Sequence, residues 1–201
     1  MSDVVLREID AGDIPALGQL IEEAFGEGWN LGRYDRDSGS FQALLETYLS
    51  MFLNSGTFGR VAVAGGEVVG AVICSAKGEA EIFRQMQKDR PFHTLMLLNA
   101  PQDERADMAE HLSVSFRAIG ELLEHREAAY GGSLDFIAVS ARSRGQNVGG
   151  RLWGAAADYF RGKGVSSVYL IADSGCTTGF YDHNGFARVA QTQASYSYTT
   201  G

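Results

Sequence analysis

Nowhere in the 201 residues is there an apolar run near the roughly 20 residues needed to cross a bilayer. The opening Met-Ser-Asp-Val-Val also lacks the basic head of a secretory signal, so a soluble, cytoplasmic protein with no membrane partner is expected. Cysteine is scarce. Cys74 in a predicted strand and Cys176 at a predicted helix start form neither a disulfide framework nor a metal spacing. His93, His111, His125 and His183 show no metal-like pairing, so no metal is expected. Basic residues number 17 against 25 acidic ones, for a net charge of −8. That balance argues against nucleic acid, whose binding needs clustered Lys and Arg, and leans weakly toward cationic partners. With 3 prolines, no Pro-rich linker and no internal repeat, one domain spanning residues 1–201 is expected.

What is present is a succession of strands and helices. Val4 to Ile9 reads as a strand, and Asp13 as the cap of a helix with Leu17, Leu20, Ile21, Ala24 and Phe25 on one face. A glycine-rich loop, 26–39, precedes a second helix marked by Phe41, Leu44, Leu45, Tyr48, Leu49 and Phe52. Two β-rich runs, Arg60–Ala64 and Val68–Cys74, flank Gly65-Gly66 as a hairpin. Residues 77–132 form a helical insertion. Within it Met108, Leu112, Phe116, Ile119, Leu123 and Tyr130 predict a long helix from Pro101 to Gly131-Gly132, with a shorter one over 80–88. Such a cover over part of the sheet packs against the acceptor cleft or serves a second subunit, which makes a homodimer possible. Val165–Ala172 reads as a buried strand, and 187–193 and 195–198 as short closing strands.

The richest segment is Ile137-Ala-Val-Ser-Ala-Arg-Ser-Arg-Gly-Gln-Asn-Val-Gly-Gly150, where a β-branched run ends in an Arg/Gly-rich turn that opens a helix. First-turn amides have no internal partners and the helix dipole favours negative charge there, so such a junction can hold a pyrophosphate by main chain alone. A Walker loop is excluded because no Lys-Ser/Thr follows Gly149-Gly150, and the spacing of Gly145, Gly149 and Gly150 fails the dinucleotide fingerprint. An ordinary glycine-containing strand-to-helix turn is the alternative.

The spacing resembles the acyl-CoA-binding motif of the GNAT family of N-acetyltransferases, (Arg/Gln)-x-x-Gly-x-(Gly/Ala), with Arg144 first and Gly149 last. Asn147 replaces the first glycine. Downstream, Phe180-Tyr181-Asp-His-Asn-Gly185-Phe186 matches a second family segment, Phe-Tyr-x-x-x-Gly-Phe. The resemblance implies a GNAT α/β (α+β) fold: a mixed, mostly antiparallel twisted sheet of six or seven strands flanked by helices, with the insertion between the third and fourth strands. It also implies an N-acetyltransferase with acetyl-CoA as cosubstrate and a small-molecule amine as partner. A non-catalytic acyl-CoA sensor and a protein N-acetyltransferase remain alternatives.

Carried over residue by residue, the resemblance gives cofactor contacts to Ile137, Ala138 and Val139 through main-chain N–H groups. The phosphate loop supplies Arg144, Gly145, Gln146, Asn147, Val148, Gly149 and Gly150. Ser174 is added where the family often has asparagine. Arg142 also flanks the loop. Tyr181 would protonate the leaving thiolate. For the base, Asp135 is the first choice, because strict alternation puts it on the same face as Ile137 and Val139. A solvated strand-start acid, Glu27, Asp35, Glu79 or unassisted loss to solvent are the alternatives. Trp29, Tyr34 and Tyr48 are candidates for an aromatic acceptor wall or for plain core packing.

Overall fold

A computed structural model describes residues 3–26, 33–87, 100–124 and 126–196. Five strands, β1 (Val5–Glu8), β2 (Phe58–Ala64), β3 (Glu67–Ala76), β4 (Gly132–Val139) and β5 (Val168–Tyr169), lie in sequence order across one sheet. The first three pairings are antiparallel and β4–β5 is parallel. The predicted hairpin is present: Gly65 and Gly66 take φ of +60° and +85°, the left-handed conformation that glycine adopts without steric cost.

Alternate side chains send the two faces of the sheet into separate cores. On one face Val61, Ala71, Ile73, Phe136 and Ala138 meet α1 (Ile14–Phe25) and α2 (Gly39–Ser55) through Leu17, Ile21, Leu44 and Leu53. On the other, Ala62, Val72, Cys74 and Leu134 meet a later helix, α4 (Val148–Gly162), through Val148, Leu152, Ala156 and Phe160. Helix α1 starts differently from the sequence reading. Asp13 holds the N-cap position of α1, but its side chain makes no capping bond to the helix: it is buried and takes a two-pronged hydrogen bond from Arg7 at 2.6 Å per contact, while Asp10 caps the 3-10 turn Ala11–Asp13 that leads in.

The insertion is carried by α3 (Gln102–Leu123). It ends eight residues before Gly131 because the chain has already joined the sheet: Gly131 donates to the Ser167 carbonyl, and Lys77 donates to the Gly131 carbonyl. Among the described residues of the predicted helix over 80–88 there is a 3-10 turn, Arg84–Gln87, and residue 88 lies outside them. A polar seam ties α3 to α2. The Tyr48 hydroxyl is 3.0 Å from His111 Nε2, Ser40 donates to Glu104, and Asp107 binds Arg33 at 2.7 Å.

Among the described residues the sheet stops at five strands. Residues 170–172 leave the ladder, and 187–196 form no strand. The latter segment runs over α3 instead: Thr192 donates to Glu121, Tyr196 stacks on His111 at 4.8 Å, and its hydroxyl is 3.2 Å from Ser115. Its alternation is real, but Gln191, Thr192 and Gln193 leave no apolar face to bury. Residues 197 and 198 of the last predicted strand lie outside the described residues.

Candidate functional site

Beyond β4 the chain makes a 3-10 turn, Ala141–Ser143, extends at Arg144, and turns left-handed at Gly145 (φ +76°) and Asn147 (φ +58°) before α4 begins. The first bond into the helix runs from Arg151 N to Asn147 O at 3.1 Å, and no described group accepts from the amides of residues 145–150. Six consecutive unpaired donors at the positive end of a 15-residue helix form a cradle for an anion. Asn147 is the one non-glycine residue with positive φ among those described, and its accommodation is local. Its Oδ1 lies 2.2 Å from where a Cβ on Gly150 would stand, so Gly150 makes room for the side chain that replaced a glycine.

The side chains around this cradle divide by role. Arg142 is engaged with Glu67 at 2.6 Å, whereas Arg144 is exposed and has no ion-pair partner among the described residues. Val148 is buried beneath the loop, so only its amide faces outward, and Gly149 lets Phe180 approach α4 closely. Gln146 donates to the Arg142 carbonyl at 3.3 Å. Glu23, at the end of α1, accepts from the Ala141 amide at 3.1 Å and ties that helix to the turn.

A wedge leads away from the cradle. Strands β4 and β5 pair only at Gly132–Val168 and Ser133–Tyr169, and from Leu134 onward the β5 side of β4 is open. Ser140 donates to Val69 O at 2.9 Å. Alternate residues of an antiparallel pair bond the same neighbour, so Ala138, opposite Ala71, also gives its N–H and C=O to β3. Ile137 and Val139 turn theirs into the wedge. The resemblance implied all three amides as cofactor donors; the register withholds that of Ala138. Ser140 lies five positions beyond Asp135, making the open edge between them about 16 Å long.

Asp135 sits at the closed end of this wedge, on a face that strict alternation gets wrong. Ile73 pairs with Phe136 and Cys74 with Leu134, leaving Asp135 as the extra residue of a β-bulge. The bulge breaks the two-residue period. Asp135 therefore turns to the face of Phe136 and Ala138, opposite Ile137 and Val139, which pack toward α4. There its carboxylate meets two hydroxyls, Ser133 Oγ at 2.5 Å and Ser75 Oγ. Burial pushes its pKa up to about 6 despite both hydrogen bonds. Neither serine was singled out from the sequence, although the Ser133-x-Asp135 spacing puts hydroxyl and carboxylate side by side on an extended strand.

The other candidate acids lack such a setting. Asp35 is exposed, Glu79 is paired with Lys163 at 2.6 Å, and Glu27 lies outside the described residues. Tyr34 and Tyr48 are buried in the core, while Trp29 is also outside the described residues.

Tyr181 belongs to α5 (Thr178–His183), the short helix expected there. Its ring lies between Phe180 and Phe186, with centroids 5.5 and 6.0 Å away. Burial first, then Cys176 and Asp173, pushes its phenol up to about 12, so the hydroxyl keeps its proton and can donate it. Gly185 ends the helix at φ +84°. Ser174 is exposed in the turn that Asp173 organises by accepting from the Gly175 amide at 2.8 Å. No hydrogen bond joins Tyr181 to Asp135, which occupy different sides of the wedge.

Solved structures share this fold. A Corynebacterium glutamicum structure described as histone acetyltransferase HPA2 and related acetyltransferase superposes with a TM-score of 0.55 at 18% identity, covering 97% of this chain and 90% of that one. An agmatine N-acetyltransferase mutant in apo form gives 0.51 at 20% identity, with 91% and 82% coverage. An aminoglycoside N-acetyltransferase, AAC(6')-Iy, solved in complex with CoA, gives 0.50 at 13% identity, with 98% and 96% coverage. These likenesses establish a shared fold. No curated protein matches the chain in sequence. The model of the acetyltransferase (GNAT) family matches residues 14–186, a span that includes the cradle, the wedge, Asp135 and Tyr181, and the chain belongs to that family.

Proposed function

We propose that the protein transfers an acetyl group from acetyl-CoA to a primary amine of a small molecule by direct attack. The observation that carries this reading is the divergence of β4 from β5 after Ser133 and Tyr169, which joins an anion cradle to a partly buried carboxylate through an edge of unpaired main-chain groups. In this reading the amides of residues 145–150 and Arg144 hold the pyrophosphate. The amides of Ile137 and Val139 hold the pantetheine arm and polarise the thioester carbonyl as charge grows on its oxygen. Ser174 borders the cofactor from the β5 side.

Asp135 takes the proton that the attacking nitrogen sheds as the carbon–nitrogen bond forms and the carbon–sulfur bond breaks. Tyr181 gives its proton to the departing sulfur and regains one through solvent, so the reaction ends with an amide and a thiol. A base working near neutral pH is most effective with a pKa close to that pH, and the burial of Asp135 supplies this. A net charge of −8 favours a cationic acceptor, and two structural neighbours, an agmatine and an aminoglycoside N-acetyltransferase, are in keeping with small amines.

The test is acetyl-CoA consumption across a panel of polyamines, aminoglycosides and peptides with free N-termini. Thiol release with the small amines supports the proposal. Release with peptides alone moves the acceptor to proteins, and CoA binding without any release makes the protein a sensor.

A further inference from the structure

The Asp135 pocket holds more hydrogen-bond acceptors than protons to fill them. Ser75 Oγ lies 2.7 Å from the main-chain carbonyl of Ser55, at the end of α2, and also contacts Asp135 Oδ2. A serine hydroxyl carries one proton, so it cannot donate to both at once. With Asp135 ionised, Ser75 gives its proton to the carboxylate and releases the Ser55 carbonyl. With Asp135 neutral, the acid donates to Ser75 Oγ, which donates in turn to Ser55. In both states Ser133 donates to Asp135 Oδ1. The same heavy-atom arrangement therefore serves both protonation states, and only one hydroxyl hydrogen turns.

We propose that Ser75 is a positioning residue whose hydroxyl swings its proton between the Ser55 carbonyl and Asp135, fixing the carboxylate in the bulge and setting the pH at which it accepts a proton. The assignment rests on the reading of Asp135 as the base, and it adds a residue from β3 that touches neither substrate nor cofactor. The titratable groups that interact electrostatically with Asp135 are Tyr169 from β5 and Cys74 from β3, whose side chain lies on the opposite face of the sheet. Burial raises both, so each stays uncharged while Asp135 titrates, and α2 contributes its terminal carbonyl. Hydrogen bonds to an ionised acceptor are roughly twice as strong as those between neutral groups, so loss of the Ser75 hydroxyl penalises the carboxylate more than the acid.

Carbon-13 NMR of aspartate carboxyl groups in the full-length protein, titrated from pH 4 to 8, reads this directly, with the Asp135 resonance assigned by its loss in Asp135→Asn. Removing the hydroxyl in Ser75→Ala is expected to raise the midpoint by about one pH unit. Ser75→Thr, which keeps the hydroxyl, should restore it, and Ser75→Cys, a weaker donor of similar size, should fall between. An unchanged midpoint in both Ser75→Ala and Ser75→Cys overturns the proposal. If the midpoints move as expected while Asp135→Asn still acetylates the amine panel at the wild-type rate, Ser75 controls the carboxylate but Asp135 is not the base.

Discussion

The two ends of β4 do their work with different parts of the chain. At the C-terminal end the cradle is made of backbone: unpaired amides from Gly145 to Gly150, with Val148 buried and Asn147 folded over Gly150. At the N-terminal end the bulge is made of side chains: Asp135 held by Ser75 and Ser133 near Tyr169. A backbone site needs particular conformations and leaves most side chains free to vary, so its mark in a sequence is glycine. A side-chain site needs particular groups in one place, and that place is set by strand register.

The contrast breaks most sharply at Asp135. Asp135→Asn is expected to cut kcat/KM by about 100-fold, in line with removal of a general base, and to stabilise the fold at pH 7.5 by about 1–3 kcal/mol. The sign follows from the direction of the shift. The folded pKa is raised from 3.8 to about 6, so stability is fully present below pH 3.8 and is lost as pH rises through 6. Asparagine, neutral throughout, carries no such loss. Chemical denaturation at pH 4 and 7.5 alongside steady-state kinetics checks both halves; an Asn variant less stable than wild type at pH 7.5 contradicts the account.

Backbone closeness is tested next at Gly132, where an added Cβ would stand 2.5 Å from the Ser75 carbonyl oxygen. Gly132→Ala should cost about 2–3 kcal/mol, as overpacking against immovable main chain does, in the same denaturation assay. Tyr181→Phe should lower turnover at least about tenfold with little change in CoA affinity, and wild-type turnover would remove Tyr181 from the mechanism. Arg144→Ala should weaken CoA binding only about threefold, an effect that fades in 0.5 M salt, because the amides carry the site and an exposed arginine adds little.

A smaller effect lies outside β4, in the seam between α2 and α3. His111 is buried beside Tyr48 and Tyr196 with Nδ1 unpaired, and burial lowers its pKa. A depressed histidine leaves stability intact above its unfolded value near 6.5 and erodes it as pH falls toward the folded value. The slope is at most about 1.4 kcal/mol per pH unit. His111→Gln should flatten the decline in stability between pH 6.5 and 5.

The same contrast explains what could be read in advance. The cradle was legible because its turns demand glycine or asparagine at fixed offsets, and the helices α1 and α2 because Leu17, Ile21, Leu44 and Phe52 recur at helical spacing. The hairpin announced itself through Gly65-Gly66. The bulge was not legible: inserting Asp135 between Leu134 and Phe136 depends on where β3 pairs, and one extra residue moved the carboxylate to the opposite face. The end of α3 was hidden for a similar reason, since Tyr130 and Gly131 serve the sheet rather than the helix. The last predicted strands had the right alternation, but their polar residues found partners on α3.

The most direct test of the account is amide hydrogen exchange with and without CoA. Without it, the amides of Ile137, Val139 and residues 145–150 should exchange quickly while Ala138, bonded to β3, is already slow. Added CoA should slow the first group and leave Ala138 unchanged. Fast exchange persisting at Ile137, Val139 and the cradle under saturating CoA would contradict the claim that main-chain groups along this wedge hold the cofactor.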